Sequence, residues 1–364
     1  MKKYSKLLVV LWMFLLLLIS TGDSTKSVIK FIKSEDGDII ECVDIYQQPS
    51  FEHLVIKNDT KFEMQQMFST NNKKTNATTS AVVHQIWQKS GNCPSGTIPI
   101  RRMTNKSHVE LEQEQLTACK IEFAGIETYQ TVYGARADIN AWSINVEPNE
   151  WSVSAINIYN ENGSYIQYGW MVSPSLYEDD GETRLFIRTV DPPRGIDCFN
   201  LKCNGFVQIS NEYAFGAALT PLSEFGGGQT EIQLTLYKDE ITGRWCVMYN
   251  DRLLGYWPRE QFPQFENGVA AFWGGQLCNM HTGNRYTTTE MGSGSLPSEG
   301  YGKSAYIHGL EVMDMGQNWN RPLELYQNLS SDCYKVETFK TRDGKVSAYF
   351  GGTASIKCCG MYCE

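Results

Sequence analysis

The sequence predicts an all-β protein, an antiparallel β-sandwich preceded by a smaller N-terminal region. Three observations carry that expectation. From about Tyr129 onward apolar and polar residues alternate with a period of two, the mark of strands with one buried face. Gly-, Asn- and Asp-rich turns recur between these stretches, and no long stretch carries helical periodicity. A barrel fits the same pattern less well than a sandwich.

The chain begins with Lys2, Lys3 and Lys6, an apolar run over 7–19, and Ser20-Thr21-Gly22. That order of basic, apolar and small residues reads as a secretory signal peptide over 1–22. An apolar run of about 13 residues is too short for the roughly 20 that a membrane span needs. Residues 23–128 form the N-terminal region, and 129–364 the sandwich. The N-terminal region is polar and rich in Lys, Asn and Thr, with too few apolar residues for a large core of its own. Two β-like stretches stand out in it, 36–46 and 85–102, separated by a loop around Asn71-Asn72-Lys73-Lys74. Arg101-Arg102 reads either as a processing site or as an exposed basic pair.

Within the sandwich, 138–146, 152–159, 184–190 and 232–237 read as strands. Glu240-Ile241-Thr242-Gly243 and Tyr249-Asn250-Asp251-Arg252 read as hairpin turns. Pro258 closes a strand that ends at Gly255-Tyr256-Trp257.

Eleven cysteines follow the signal segment, and in an oxidising compartment they are expected to form disulfides, with at least one left over. Cys198 and Cys203 are spaced for a local clip, and Cys333 with Cys358, or with Cys359 or Cys363, would anchor the C-terminus. Five histidines and no Cys-x-x-Cys pair imply no zinc site and no other metal or cofactor. Asn58, Asn76, Asn105, Asn162 and Asn328 begin Asn-x-Ser/Thr sequons and are candidate glycosylation sites. A net charge of −9 and a pI near 5.2 argue against a nucleic-acid partner.

Several ordered motifs then identify a family. Gly169-Trp170-Met171-Val172-Ser173-Pro174 is followed by Cys198-Phe199-Asn200-Leu201-Lys202-Cys203-Asn204-Gly205-Phe206. Further on come Gly255-Tyr256-Trp257-Pro258, Trp273-Gly274-Gly275 and Met291-Gly292-Ser293-Gly294. These resemble the neprosin family of secreted plant proteins, whose founding member is a glutamic peptidase that cleaves after proline. The segment from Gly37-Asp38-Ile39-Ile40 through Gln85-Ile86-Trp87 to Arg101-Arg102 resembles that family's activation peptide. The resemblance implies a β-sandwich with two catalytic glutamates, one just before the Gly-Trp motif and one directly after Trp-Gly-Gly. Those positions are Gln167 and Gln276 here.

A carboxyl pair hydrolyses a peptide bond by taking a proton from water and giving one to the leaving amine, and an amide does neither. Whether the chain is an enzyme is therefore uncertain. The reading that follows first is a secreted, catalytically impaired protein, in the cell wall, apoplast or vacuole. It keeps a groove for extended, proline-containing peptides or wall polymers, with Trp170 and Trp273 as candidates for its aromatic floor. The alternatives are an active acid endopeptidase made as a zymogen, and a structural secreted protein. Activity would need a substitute carboxylate, for which Glu290, Glu299 and Asp179-Asp180 are the candidates. Gly292-Ser293-Gly294 lacks nucleophile-elbow spacing, and His281 and His308 read as surface or core residues.

Overall fold

A computed structural model describes residues 27–51, 83–103, 119–178, 180–202, 205–261, 265–281, 286–341 and 344–353. The signal segment, the loop around Asn71, Asn58, Asn76, Asn105, Asp179, Cys203 and Cys358 lie outside the described residues.

The N-terminal region contributes β1 (Val28–Lys33), β2 (Ile39–Asp44), β3 (His84–Gln85) and β4 (Thr97–Arg101). Next come β5 (Lys120–Thr128), β6 (Gly134–Asn140), β7 (Trp151–Tyr159), β8 (Tyr165–Val172), β9 (Arg184–Asp191) and β10 (Ile196–Phe199). The middle of the chain supplies β11 (Val207–Gln208), β12 (Leu219–Thr220), β13 (Glu231–Lys238), β14 (Trp245–Tyr249), β15 (Arg252–Trp257) and β16 (Ala270–Asn279). Last are β17 (Glu290–Met291), β18 (Ala305–Met313), β19 (Trp319–Asn320), β20 (Tyr326–Leu329), β21 (Lys335–Lys340) and β22 (Val346–Thr353). Among the described residues the helical segments are short 3-10 turns.

Two large antiparallel sheets face each other. The first has seven strands in the order β10-β9-β8-β7-β16-β5-β20. The second has ten, in the order β11-β15-β14-β13-β6-β18-β22-β17, with β19 on β18 and β21 on β22. Alternating side chains of both sheets meet in one core, which includes Ile156, Ile158, Trp170 and Trp273 from the first and Ile139, Leu234, Ile307 and Phe350 from the second. This is the sandwich that the period-two pattern predicts. The hairpins expected at 240–243 and 249–252 join β13 to β14 and β14 to β15. The strand expected over 138–146 stops at Asn140.

The boundary expected after residue 128 moves toward the N-terminus. Strand β5 pairs with β16 on one side and β20 on the other, so 120–128 is an inner strand of the seven-stranded sheet. What precedes it is not an independent unit. β1, β2 and β4 form a small sheet, and β3 pairs with β12. Ile45, Phe51, Val83 and Ile98 belong to the main core. Gln48 donates to Gln208 O at 3.0 Å and accepts from Gln208 N at 2.8 Å, and Gln85 bridges both backbone groups of Ala214. Too few apolar residues to fold alone thus become enough when the sandwich supplies the other wall.

A buried ionic cluster ties the same region to β9. The Arg184 guanidinium, without solvent exposure, reaches Asp38 at 2.6 Å, Gly216 O at 2.7 Å, and Asp180. Arg101 reaches Asp38 at 2.7 Å, and both guanidinium groups lie over the Tyr177 ring. Arg101 is therefore not an exposed basic residue. It is a buried strand residue with a counter-ion, and Arg102 pairs with Glu41 at 2.6 Å.

Removing one partner of a buried ion pair strands the other in low dielectric. Asp38→Ala is expected to lower stability by roughly 3 kcal/mol or more, read as a drop in the urea unfolding midpoint. An unchanged midpoint would show that the N-terminal sheet contributes nothing to the stability of the sandwich.

Candidate functional site

Strand alternation sorts the sequence-derived candidates onto two faces. Gln167 and Gln276 project from the outer face of the seven-stranded sheet. Trp170 and Trp273 each lie three positions from their glutamine, an odd step, so they project from the inner face. Both indoles are buried in the core, at 0% and 1% exposure, and Trp170 Nε1 donates to Asn140 O at 3.0 Å. Their expected place on a groove floor is corrected accordingly.

The two amides are not on adjacent strands. Gln167 is on β8 and Gln276 on β16, with β7 between them. They are also offset along the sheet: Gln167 stands opposite Asn157 and Gln276 opposite Val153. The row between them is Gly125, Gly274, Ala155 and Gly169, in register across four strands. With almost no side chains in that row, the two long amides lie across it and meet. Gln167 Nε2 donates to Gln276 Oε1 at 2.7 Å. The glycines are required by close approach. A Cβ on Gly169 would sit 2.1 Å from Ser154 O, and one on Gly274 would sit 2.5 Å from Ala124 O.

Two further polar residues complete the cluster, and the sequence reading did not single them out. Asn157 Nδ2 donates to Tyr159 Oη at 2.7 Å, and Gln276 Nε2 approaches the same oxygen at 3.5 Å. Burial pushes the Tyr159 phenol well above its ordinary pKa, which the hydrogen bonds from Asn157 and Gln276 oppose without reversing. It stays a neutral hydroxyl. Arg188 stands opposite Gln167 on β9 and is bidentate to Asp197 at 2.7 Å, with Trp151, Tyr165 and Phe199 around its guanidinium. A sequence signal existed for Asn157: a polar residue between two isoleucines, on a strand face where Val153 and Ala155 precede it.

The candidate substitute carboxylates have other partners. Glu299 pairs with Lys303 at 3.1 Å, Glu290 accepts from Asn145 N at 2.7 Å, and Asp180 holds Arg184. Glu127 shares the cross-strand row of Gln167 but accepts from Tyr129 Oη and Asn328 Nδ2, both at 2.6 Å. The cluster contains amides, a phenol and a neutralised guanidinium.

Beside the site, Cys278 on the same face as Gln276 is bonded to Cys119, and a second disulfide joins Cys42 to Cys93. Cys198 and Cys333 are also disulfide-bonded. Cys246 is the free thiol among the described residues, with burial pushing its pKa up to about 12. Asn162 is exposed at the tip of the β7–β8 hairpin. Asn328 Nδ2, the atom that would carry a glycan, is engaged by Glu127. His308 is half-buried and bonded to Glu231 at 2.8 Å.

His281 belongs to a latch at the end of β16. His281, Glu147 and Glu150 bring their ligating atoms within 4.8 Å of one another. Thr288 N reaches Glu147 at 2.6 Å and Met280 N reaches Glu150 at 2.8 Å, and the hydroxyls of Thr287 and Thr289 also donate to Glu150. These bonds fasten Met280, Thr287, Thr288 and Thr289 to the segment that leads into β7. Burial pushes the Glu147 carboxyl up, but the bonds from Thr288 and His281 outweigh it and hold the pKa down to about 2.

The family described as Neprosin matches residues 148–353, and that described as Neprosin activation peptide matches 31–123. Among solved structures, Scytalido-glutamic peptidase with a peptide-based transition state analog is similar at 8% identity and a TM-score of 0.35, covering 65% of this chain and 100% of that one. SCP-B, a member of the Eqolisin family in complex with the tripeptide Ala-Ile-His, is similar at 6% identity and a TM-score of 0.34, with the same coverage.

Two outcomes are expected of this geometry. Gly274→Ala overpacks the row between the amides and should cost about 1–3 kcal/mol; a urea midpoint equal to wild type would count against the close approach. Glu147 has a folded pKa below its unfolded one, near 4.3, so its contribution is present above about pH 5 and fades as pH falls toward about 2. Glu147→Gln should therefore be less stable than wild type at pH 6 and equal to it near pH 2. A constant difference would show that the latch does not titrate.

Proposed function

The chain belongs to the neprosin family, and from that premise we propose a secreted glutamic-peptidase-like protein that has lost its proton chemistry and keeps a groove for extended peptides. Proline-containing peptides are the class the family resemblance favours, with wall polymers second. The observation that carries the reading is the direct bond between Gln167 and Gln276 at the two positions where the family's glutamates are expected.

Losing one general acid or base typically lowers a rate by about 10²–10⁴, and here both positions are amides. Neither amide takes or releases a proton in the range where such a pair works. Glu127, Glu290, Glu299 and Asp180 each hold a hydrogen bond or ion pair of their own, which supports that reading. Tyr159 stays protonated and serves as a hydrogen-bonding group, not a base.

Disulfide bonds and family membership fit an extracellular or secreted protein, and no helix among the described residues is long and apolar enough to cross a membrane. Export through a signal peptide over 1–22, glycosylation at Asn162, and residence in the wall, apoplast or vacuole extend that reading. The N-terminal region acts here chiefly as a structural partner of the sandwich, on the strength of its buried contacts.

The deciding assay uses the secreted chain and proline-containing peptides from pH 2.5 to 7. Wild type should leave them intact, and Gln167→Glu/Gln276→Glu should cleave them, fastest in acid where one carboxyl is protonated and the other is not. Cleavage by wild type, abolished in Glu127→Gln or Glu290→Gln, would establish an active acid peptidase instead.

A further inference from the structure

The side of the sandwich opposite the amides carries a run of aromatic rings. In β18 Ala305 and Ile307 face the core, so Tyr306 and His308 face outward; in β22 Ala348 and Phe350 face the core, so Tyr349 faces outward. Strand register sets Tyr306 opposite Tyr349, and β21 brings Phe339 beside them. Ring centroids follow one another at 5.6 Å from Tyr301 to Tyr306, 6.3 Å to Tyr349 and 4.3 Å to Phe339. Phe206 with Phe215 and Trp257 forms a comparable group, but in the core. Here the rings meet solvent: Tyr301 is 69% exposed, and Tyr349 and Phe339 are half-buried.

Polar groups line the same run. Glu231 accepts from the Tyr306 hydroxyl with one oxygen and meets His308 Nε2 at 2.8 Å with the other, while Asp138 stands 3.7 Å from His308 Nδ1. Each Glu231 oxygen has a second lone pair to offer, and the side chain is 38% exposed. The charges are matched locally. Burial lowers the His308 pKa, but the bond to Glu231 and the charges of Glu231 and Asp138 outweigh it and raise it. Lys345 adds a positive charge beside Asp138. In mild acid two carboxylates thus face two cationic groups, and the surface calls for no counter-ion.

We propose that this face binds a neutral polysaccharide, whose sugar rings pack on Tyr301, Tyr349 and Phe339 and whose hydroxyls donate to Glu231. Aromatic faces carry partial negative charge, and the C–H bonds on one side of a pyranose present partial positive charge to them. The hydroxyls at the rim of the same sugar supply the donors that exposed carboxylate oxygens accept. An apolar partner would desolvate those oxygens without pairing them, which is costly. An anionic chain would meet Glu231 and Asp138, and a cationic one would find both already matched by His308 and Lys345. A run of rings, as opposed to a single one, suits a chain of sugars. The site lies on the other sheet from Gln167 and Gln276 and does not rest on the peptide-binding reading.

The test measures binding of cellohexaose, xylohexaose and mannohexaose to the full secreted chain by calorimetry at pH 5.5, beside a galacturonic acid hexamer and hexalysine. At least one neutral hexamer should bind, and more tightly than either charged one. Tyr301→Ala should weaken that binding about tenfold, the loss of one ring contact, and Tyr301→Trp should retain it. The urea midpoint of Tyr301→Ala should equal that of wild type, because the side chain stands mostly in solvent. If none of the three neutral hexamers binds, or if a charged hexamer binds best, the inference is overturned. Binding that Tyr301→Ala leaves untouched overturns it too, since the sugar then sits elsewhere. Should Tyr301→Ala fail to fold, the ranking of the five hexamers on wild type decides alone.

Discussion

The seven-stranded sheet carries different chemistry on its two faces, and the structure of the site depends on that division. The inner face of β7, β8 and β16 packs Ile156, Ile158, Trp170 and Trp273 into the sandwich core. The outer face of the same strands holds Asn157, Gln167 and Gln276 over a row of glycines and one alanine. The strands bury both faces, so each position is constrained either by core volume or by the small-residue row. A side chain added in that row would collide with backbone before it touched either glutamine. The geometry that lets two glutamines meet across an intervening strand is therefore built by what is missing between them.

That arrangement changes what the substitution of amide for carboxyl means. Two carboxylates at hydrogen-bond distance repel unless they share a proton, whereas two amides pair without one. The cluster is a neutral, mutually bonded unit. The surrounding charges are balanced locally: Arg188 by Asp197, Arg184 by Asp38 and Asp180.

The N-terminal region gives a second view of how non-local burial decides a role. As a sequence it is polar and poor in core residues. In the fold Ile45, Phe51, Val83 and Ile98 enter the main core, and its Asp38 compensates an arginine that β9 buries completely. The pair Arg101-Arg102, which in sequence resembles a cleavage signal, ends a paired strand with both side chains in ion pairs.

Much of the molecule was legible beforehand. The period of two, the turn residues and the ordered motifs sufficed for an antiparallel sandwich and for the family. The odd step between each tryptophan and its glutamine already assigned them to opposite faces, because side chains alternate along any strand. What the sequence did not contain was the order of strands. That β7 lies between β8 and β16, that Asn157 and Tyr159 join the amides, and that β5 is an inner strand follow from pairings between residues more than a hundred positions apart in several cases. Local residue patterns set which face a side chain takes. Only the burial shared by distant segments settles which strands lie side by side, and so which polar groups meet.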